Sequence, residues 1–130
     1  MRRDLLIVDD DPFIRKLVTT TLRDIHGVHL HEADDGLAAV TAAESLDLGL
    51  ILLDVDMPHL DGVETCRQLR AAHGDEPTIV MLTGSKDAGL EQRAMAAGAN
   101  RFLTKPFSPI ELLQLVDELG PPDVPPDAVA

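Results

Sequence analysis

Three stretches of this 130-residue chain are apolar almost without interruption: Leu5-Leu6-Ile7-Val8, Leu48 to Leu53, and Thr78 to Leu82. The first two stop at an acid, Asp9 and Asp54, and the third at Thr83-Gly84. Short apolar runs without polar alternation belong to strands covered on both faces, which is the setting of a parallel sheet. Two weaker strands complete the set. Val28 to Ala33 alternates apolar and polar residues as an edge strand does, and Arg101 to Thr104 is short and runs into Lys105-Pro106. Helical patterns lie between them. Asp11 is placed to cap a helix beginning at Pro12, with Phe13, Ile14, Leu17, Val18 and Leu22 at helical spacing. Leu37 to Leu46 is Ala-rich and helical, and Val63, Cys66 and Leu69 continue to a stop at His73-Gly74. Leu90 to Ala97 ends at Gly98, and Ser108-Pro109 with Glu111 opens a last helix carrying Ile110, Leu112, Leu113, Leu115, Val116 and Leu119. Strand and helix thus alternate five times, which predicts an α/β fold: one parallel sheet with helices on both faces.

Composition narrows the function. There are 23 Asp and Glu against 11 Lys and Arg, a formal net charge of -12, and only three aromatic residues, all Phe. Such a chain repels phosphate backbones and anionic lipid and has no platform for stacking bases, so neither nucleic acid nor membrane is expected as a direct ligand. The single Cys66 excludes an internal disulfide and a cysteine zinc cluster. No apolar run approaches the roughly 20 residues that span a bilayer. The N-terminus is no signal peptide, so the expected location is cytoplasmic. After Leu119 the chain turns into Gly120-Pro121-Pro122-Asp123-Val124-Pro125-Pro126, so a domain over 4–119 is expected, with 120–130 an acidic, Pro-rich tail or truncated linker.

In open parallel sheets ligands bind beyond the carboxyl ends of the strands. Here those ends carry Asp9-Asp10, Asp54, Thr83 and Lys105. If their strands are neighbours, three carboxylates, a hydroxyl and an ammonium converge at one edge. Each like-charged pair at about 4 Å costs about 4 kcal/mol at an effective dielectric near 20. A cluster of that kind calls for a compensating cation, and hard oxygen donors suit Mg2+. A carboxylate nucleophile, a metal and a lysine are the parts of a phosphoryl-transfer site, with Asp54, on the central buried strand, the best nucleophile.

The segments Leu6-Ile7-Val8-Asp9-Asp10-Asp11-Pro12, Leu53-Asp54-Val55-Asp56-Met57-Pro58-His59-Leu60-Asp61-Gly62, Met81-Leu82-Thr83-Gly84 and Gly98 to Phe107, in this order and spacing, resemble the receiver domain of two-component response regulators over residues 4–119. The resemblance implies a flavodoxin-like, doubly wound (βα)5 fold with strand order 2-1-3-4-5. It implies that Asp54 accepts a phosphoryl group from a histidine kinase or histidine phosphotransfer protein. It implies Mg2+ at Asp9, Asp10, Asp54 and the backbone carbonyl of Asp56, with Asp10 a direct ligand and Asp9 acting partly through water. Thr83 corresponds to the switch hydroxyl, Phe102 to the aromatic switch position and Lys105 to the site lysine, whose bond to Pro106 resembles one that is cis in the family. The implied output is a changed surface on the fourth helix, fifth strand and fifth helix, read by a downstream protein or domain or by a phosphorylation-dependent second copy. It implies self-catalysed phosphoryl acceptance and slow self-dephosphorylation, without turnover as an enzyme. Asp56 as a side chain and Gly84 after the switch Thr are points of tuning.

Two other readings are weighed against this one. A pseudo-receiver acting only as an interaction module predicts missing site residues, and none is missing. A haloacid-dehalogenase-like phosphatase shares the Asp54-Val55-Asp56 spacing, but Met57 stands where Thr or Val is required and no cap insertion follows. Of the remaining residues, Asp61-Gly62 reads as a turn and cap, Ser85 as a helix cap, and Cys66 as a small buried hydrophobe. His26, His29, His31, His59 and His73 read as scattered surface residues without a metal. No helix-turn-helix or cyclase domain fits in the residues after Leu119, so the output is expected to be protein contact or to lie on a longer chain.

Overall fold

A computed structural model describes residues 4–25, 27–57, 60–84 and 88–119. The expectations placed on His26, His59, Ser85 and the 120–130 segment lie outside the described residues. In chain order the elements are β1 (Asp4–Val8), α1 (Pro12–Leu22), β2 (His29–Ala33), α2 (Gly36–Ala43), β3 (Leu48–Asp54), α3 (Gly62–His73), β4 (Thr78–Thr83), α4 (Ala88–Ala97), β5 (Arg101–Thr104) and α5 (Pro109–Glu118). The strands form one parallel sheet in the order β2-β1-β3-β4-β5. This is the expected doubly wound fold, with the alternating segment β2 at one edge and the short β5 at the other.

Two-sided burial explains the apolar runs. Successive strand residues point to opposite faces. Leu6, Val8, Ile51, Leu53, Ile79 and Met81 pack on one face with Ala39 and Ala43 of α2, Cys66 and Leu69 of α3, and Ala94 and Ala97 of α4. Leu5, Ile7, Leu50, Leu52, Val80 and Leu82 pack on the other with Val18 and Leu22 of α1 and Leu112, Leu115 and Val116 of α5. Every residue of β3 is buried. Burying one such Leu or Ile side chain contributes about 1.5–3 kcal/mol, so a polar residue within these runs would forfeit that on either face.

Most helix signals act as expected. Asp11 Oδ1 accepts the Phe13 N–H at 2.8 Å, Asp61 Oδ1 accepts the Glu64 N–H at 2.8 Å, and Ser108 with Glu111 forms a reciprocal capping box. Gly74 and Gly98, at φ 67° and 113°, end α3 and α4 in a region that side chains avoid. Three details differ from the sequence pattern. The second helix starts at Gly36 under an Asp35 cap and stops at Ala43, three residues before Leu46. Phe13 is 82 % exposed and Ile110 67 %, although both lie on the apolar spacing of their helices. His31 is no plain surface residue: its Nε2 lies 3.1 Å from Asp4 Oδ1, while Asp4 Oδ2 accepts the Asp47 N–H at 2.7 Å. Among the described residues no helix is long and apolar enough to cross a membrane.

Gly62 sets how closely α3 approaches the end of β3. Its N–H donates to Val55 O at 3.0 Å, and a Cβ there would lie 2.2 Å from the carbonyl oxygen of Asp54 and 2.7 Å from Val55 Cα. Gly62→Ala is therefore expected to destabilise the fold by about 1–3 kcal/mol, the usual range for a forced backbone shift. Urea unfolding followed by circular dichroism measures it; an unchanged midpoint would show that α3 can retreat freely.

Candidate functional site

Register brings the strand ends together. Val8 is paired with Leu53, so Asp9 follows β1 at the level of Asp54. Asp54 is paired with Leu82, which puts Thr83 one residue further along β4. Thr83 is paired with Thr104, and Lys105 comes next, its N–H donating to Thr83 O at 2.8 Å. The order β2-β1-β3 makes the gap between β1 and β3 the point where the winding reverses, and helices leave there in opposite directions. Asp9 and Asp54 flank that gap.

The side chains meet there. The Lys105 ammonium lies 2.8 Å from Asp9 Oδ2 and 3.1 Å from Asp54 Oδ1, in a 22 % exposed position between two buried carboxylates. Oxygens of Asp9, Asp10 and Asp54 all lie within 4.8 Å of one another, with Asp10 exposed to solvent. Asp54 Oδ1 also takes the Asp56 N–H at 3.3 Å. Asp11, the third acid of the turn, is not in the cluster; it caps α1. The Asp56 side chain is exposed on the wall of a cleft of about 340 Å3 that Arg93 of α4 also lines. Thr83 is buried at the end of β4. Phe102 stands apart from the acids, opposite Met81 and half-buried in the core between the sheet and α2, α3 and α4. Met81 and Thr83, two apart, share that face. The Lys105-Pro106 peptide is cis.

Charge is poorly balanced in this arrangement. Burial, and then the Asp9 carboxylate, push Asp54 up to about 7, against the pull of Lys105 and the Asp56 N–H. Burial opposes the charge on Lys105, but its contacts with Asp9 and Asp54 outweigh this and hold its pKa above the ordinary value. The ion pair to Lys105 leaves Asp9 Oδ2 without a properly directed hydrogen bond, although that oxygen is fully buried. One lysine against three carboxylates leaves room for a hard divalent cation, and the clustered carboxylate oxygens of Asp9, Asp10 and Asp54 are fitting ligands for Mg2+.

The sequence pattern did not reveal what holds Asp9 in place. Arg15, one turn into α1, donates from a guanidinium nitrogen to the Asp9 carbonyl at 2.7 Å and pairs with Glu32 of β2 at 3.1 Å. The signal available was a lone basic residue a few positions after an acidic turn, which is too common to interpret. Cys66 behaves as expected: it is buried, with its thiol pushed up by desolvation.

A parallel sheet of order 2-1-3-4-5 with acids and a lysine at its switch point defines the class of doubly wound α/β proteins with an acidic strand-end site. The family model of the response regulator receiver domain matches residues 5–117, and the chain belongs to that family. The chain is 39 % identical over 116 residues to the DNA-binding response regulator MtrA of Mycolicibacterium smegmatis, covering 89 % of this chain and 50 % of the relative. It is 36 % identical over 129 residues to the response regulator MprA of a Mycobacterium species, covering 97 % of this chain and 55 % of the relative. It thus spans about half the length of these curated relatives. Among solved structures, it superposes on the Vibrio cholerae chemotaxis protein CheY4 with a TM-score of 0.84 at 32 % identity, covering 92 % of this chain and 99 % of that one. The family is that of receiver domains in two-component signalling.

The elevated pKa of Asp54 has a consequence for stability. The folded protein holds a proton on Asp54 that the unfolded chain releases near 3.8, so this group's contribution to stability falls as pH rises from about 4 to about 7. Asp54→Asn removes the penalty. In metal-free buffer the variant is expected to equal the wild type near pH 4 and to exceed it in stability at pH 8. Thermal unfolding across pH checks this; a constant difference between the two proteins would refute the charge imbalance.

Proposed function

We propose that this receiver domain is a phosphorylation-activated switch whose phosphoacceptor is Asp54. The observation that carries the reading is the Lys105 ammonium held 3.1 Å from a buried Asp54 carboxylate, with the Asp9 and Asp10 oxygens beside it. The donor is a phosphohistidine on a sensor kinase or histidine phosphotransfer protein. An Asp54 oxygen forms the new P–O bond while the P–N bond breaks, its electron pair leaving with the imidazole nitrogen. Lys105, the only cation in contact with Asp54 among the described residues, holds an equatorial phosphoryl oxygen. Asp9, Asp10, Asp54 and the Asp56 carbonyl are the groups that would hold Mg2+. Bound there, Mg2+ would neutralise charge on the transferred group.

Phosphorylated Asp54 presents additional acceptor oxygens beside the end of β4, toward which the Thr83 hydroxyl turns. Thr83, Met81 and Phe102 share one face of the sheet, so movement of Thr83 is transmitted to Phe102 and from there to the surface of α4, β5 and α5. Shifting a two-state equilibrium from 1:99 to 99:1 takes about 5.5 kcal/mol, which a few charge-assisted contacts of about 1.5–3 kcal/mol supply. That surface is what a downstream protein, a linked output domain or a second phosphorylated copy reads. The surplus of acids argues that nucleic acid is not bound by this segment itself. The Asp56 side chain tunes hydrolysis of the acyl phosphate, and Gly84 tunes the loop that follows Thr83.

The test is mass spectrometry after incubation with a small acyl-phosphate donor and Mg2+. The expected result is a gain of one phosphoryl group that requires Mg2+, is labile to hydroxylamine and disappears in Asp54→Asn. A gain that persists in Asp54→Asn would assign the acceptor elsewhere, and no gain in the wild type would favour an interaction-only module.

A further inference from the structure

We infer that Arg15 is a positioning residue for the divalent-cation site: it fixes the Asp9 backbone, and so the direction of the Asp9 and Asp10 carboxylates, by tying it to the edge strand through Glu32. The inference rests on the Mg2+ reading proposed above and adds to it a residue outside the acidic cluster.

Asp9 is gripped at each of its polar groups. Its N–H donates to Ala33 O at 3.2 Å, continuing the ladder toward β2. Its Oδ1 accepts the Asp11 N–H at 2.9 Å, and its Oδ2 faces Lys105. Its carbonyl lies past the end of β1 and is satisfied by the Arg15 guanidinium at 2.7 Å. A charged donor at that distance makes one of the stronger hydrogen bonds available to a backbone oxygen. The same guanidinium is held from the other side by Glu32 at 3.1 Å, and Arg15 is only 20 % exposed, so its planar head is set by two partners rather than left to sample rotamers. The peptide so fixed leads directly into Asp10, the exposed member of the cluster. Groups that orient metal ligands from outside the ligand shell commonly govern affinity by 10- to 100-fold.

The sign of the effect separates positioning from charge. Arg15 is a cation near a cation site, so by Coulomb's law alone its removal should tighten Mg2+ binding. If Arg15 orients the turn, its removal weakens binding despite that. The experiment titrates MgCl2 into the full 130-residue chain and follows backbone amide shifts, without any phosphodonor, for the wild type, Arg15→Met, Arg15→Lys and Glu32→Gln. Each is measured well below its own unfolding temperature. Arg15→Met, which keeps an apolar stem, is expected to raise the Mg2+ Kd about tenfold. Arg15→Lys retains a donor but cannot span both partners and should fall between, and Glu32→Gln, which leaves Arg15 on the carbonyl, should raise Kd by a smaller factor. Binding in Arg15→Met that is unchanged or tighter overturns the inference while leaving the Mg2+ reading standing. If Arg15→Met does not fold, wild-type affinity in both other variants overturns it equally. A wild type that shows no Mg2+-dependent shifts overturns the Mg2+ reading itself, and the inference with it.

Discussion

A parallel sheet covered on both faces admits charge only where its strands end, and this constraint organises the molecule. Within β1, β3 and β4 almost every side chain is packed against a helix on one face or the other, so an acid there would lose its hydration without a partner. One position further along, the same strands emerge at an edge where loops, helix starts and solvent are available. Asp9, Asp54, Thr83 and Lys105 all sit at that boundary, buried enough to be rigid and close enough to the surface to meet a reactant.

The boundary also explains why the site is strained electrostatically. Burial and the Asp9 charge raise Asp54 toward neutrality, and the one lysine available is shared between two carboxylates. A fold that retains such a cluster is less stable in isolation than one with amides in its place. The residual imbalance is what supports the proposed binding of a divalent cation, and then of a phosphoryl group, at this edge. Stability given up at this edge is made up by the two-sided core, where the large aliphatic residues of the three central strands are fully buried.

Much of this was legible in the sequence because the signals were local. Uninterrupted apolar runs mark two-sided strands wherever they occur, and Asp11, Asp61, Ser108, Gly74 and Gly98 begin or end helices through contacts within a few residues of themselves. The early end of α2 at Ala43 and the exposure of Phe13 and Ile110 were not legible, since apolar spacing says which side chains share a helix face but not how far that face extends over the sheet. The contact of His31 is hidden in the sequence for a related reason: its partner Asp4 is 27 positions away, and only strand pairing brings the two together.

The sequence by itself determined the fold class, the strand ends and the chemical types gathered at them, because hydrophobic period and turn chemistry are properties of neighbouring residues. Only the tertiary structure decided the distances. It set Lys105 between Asp9 and Asp54, gave Asp9 an oxygen without a directed hydrogen bond, and brought Arg15 onto the Asp9 carbonyl with Glu32 behind it. Those contacts join residues from different strands and helices. They exist because parallel register aligns the strand ends and two-sided packing holds them there, and neither condition is written in any one segment of the chain.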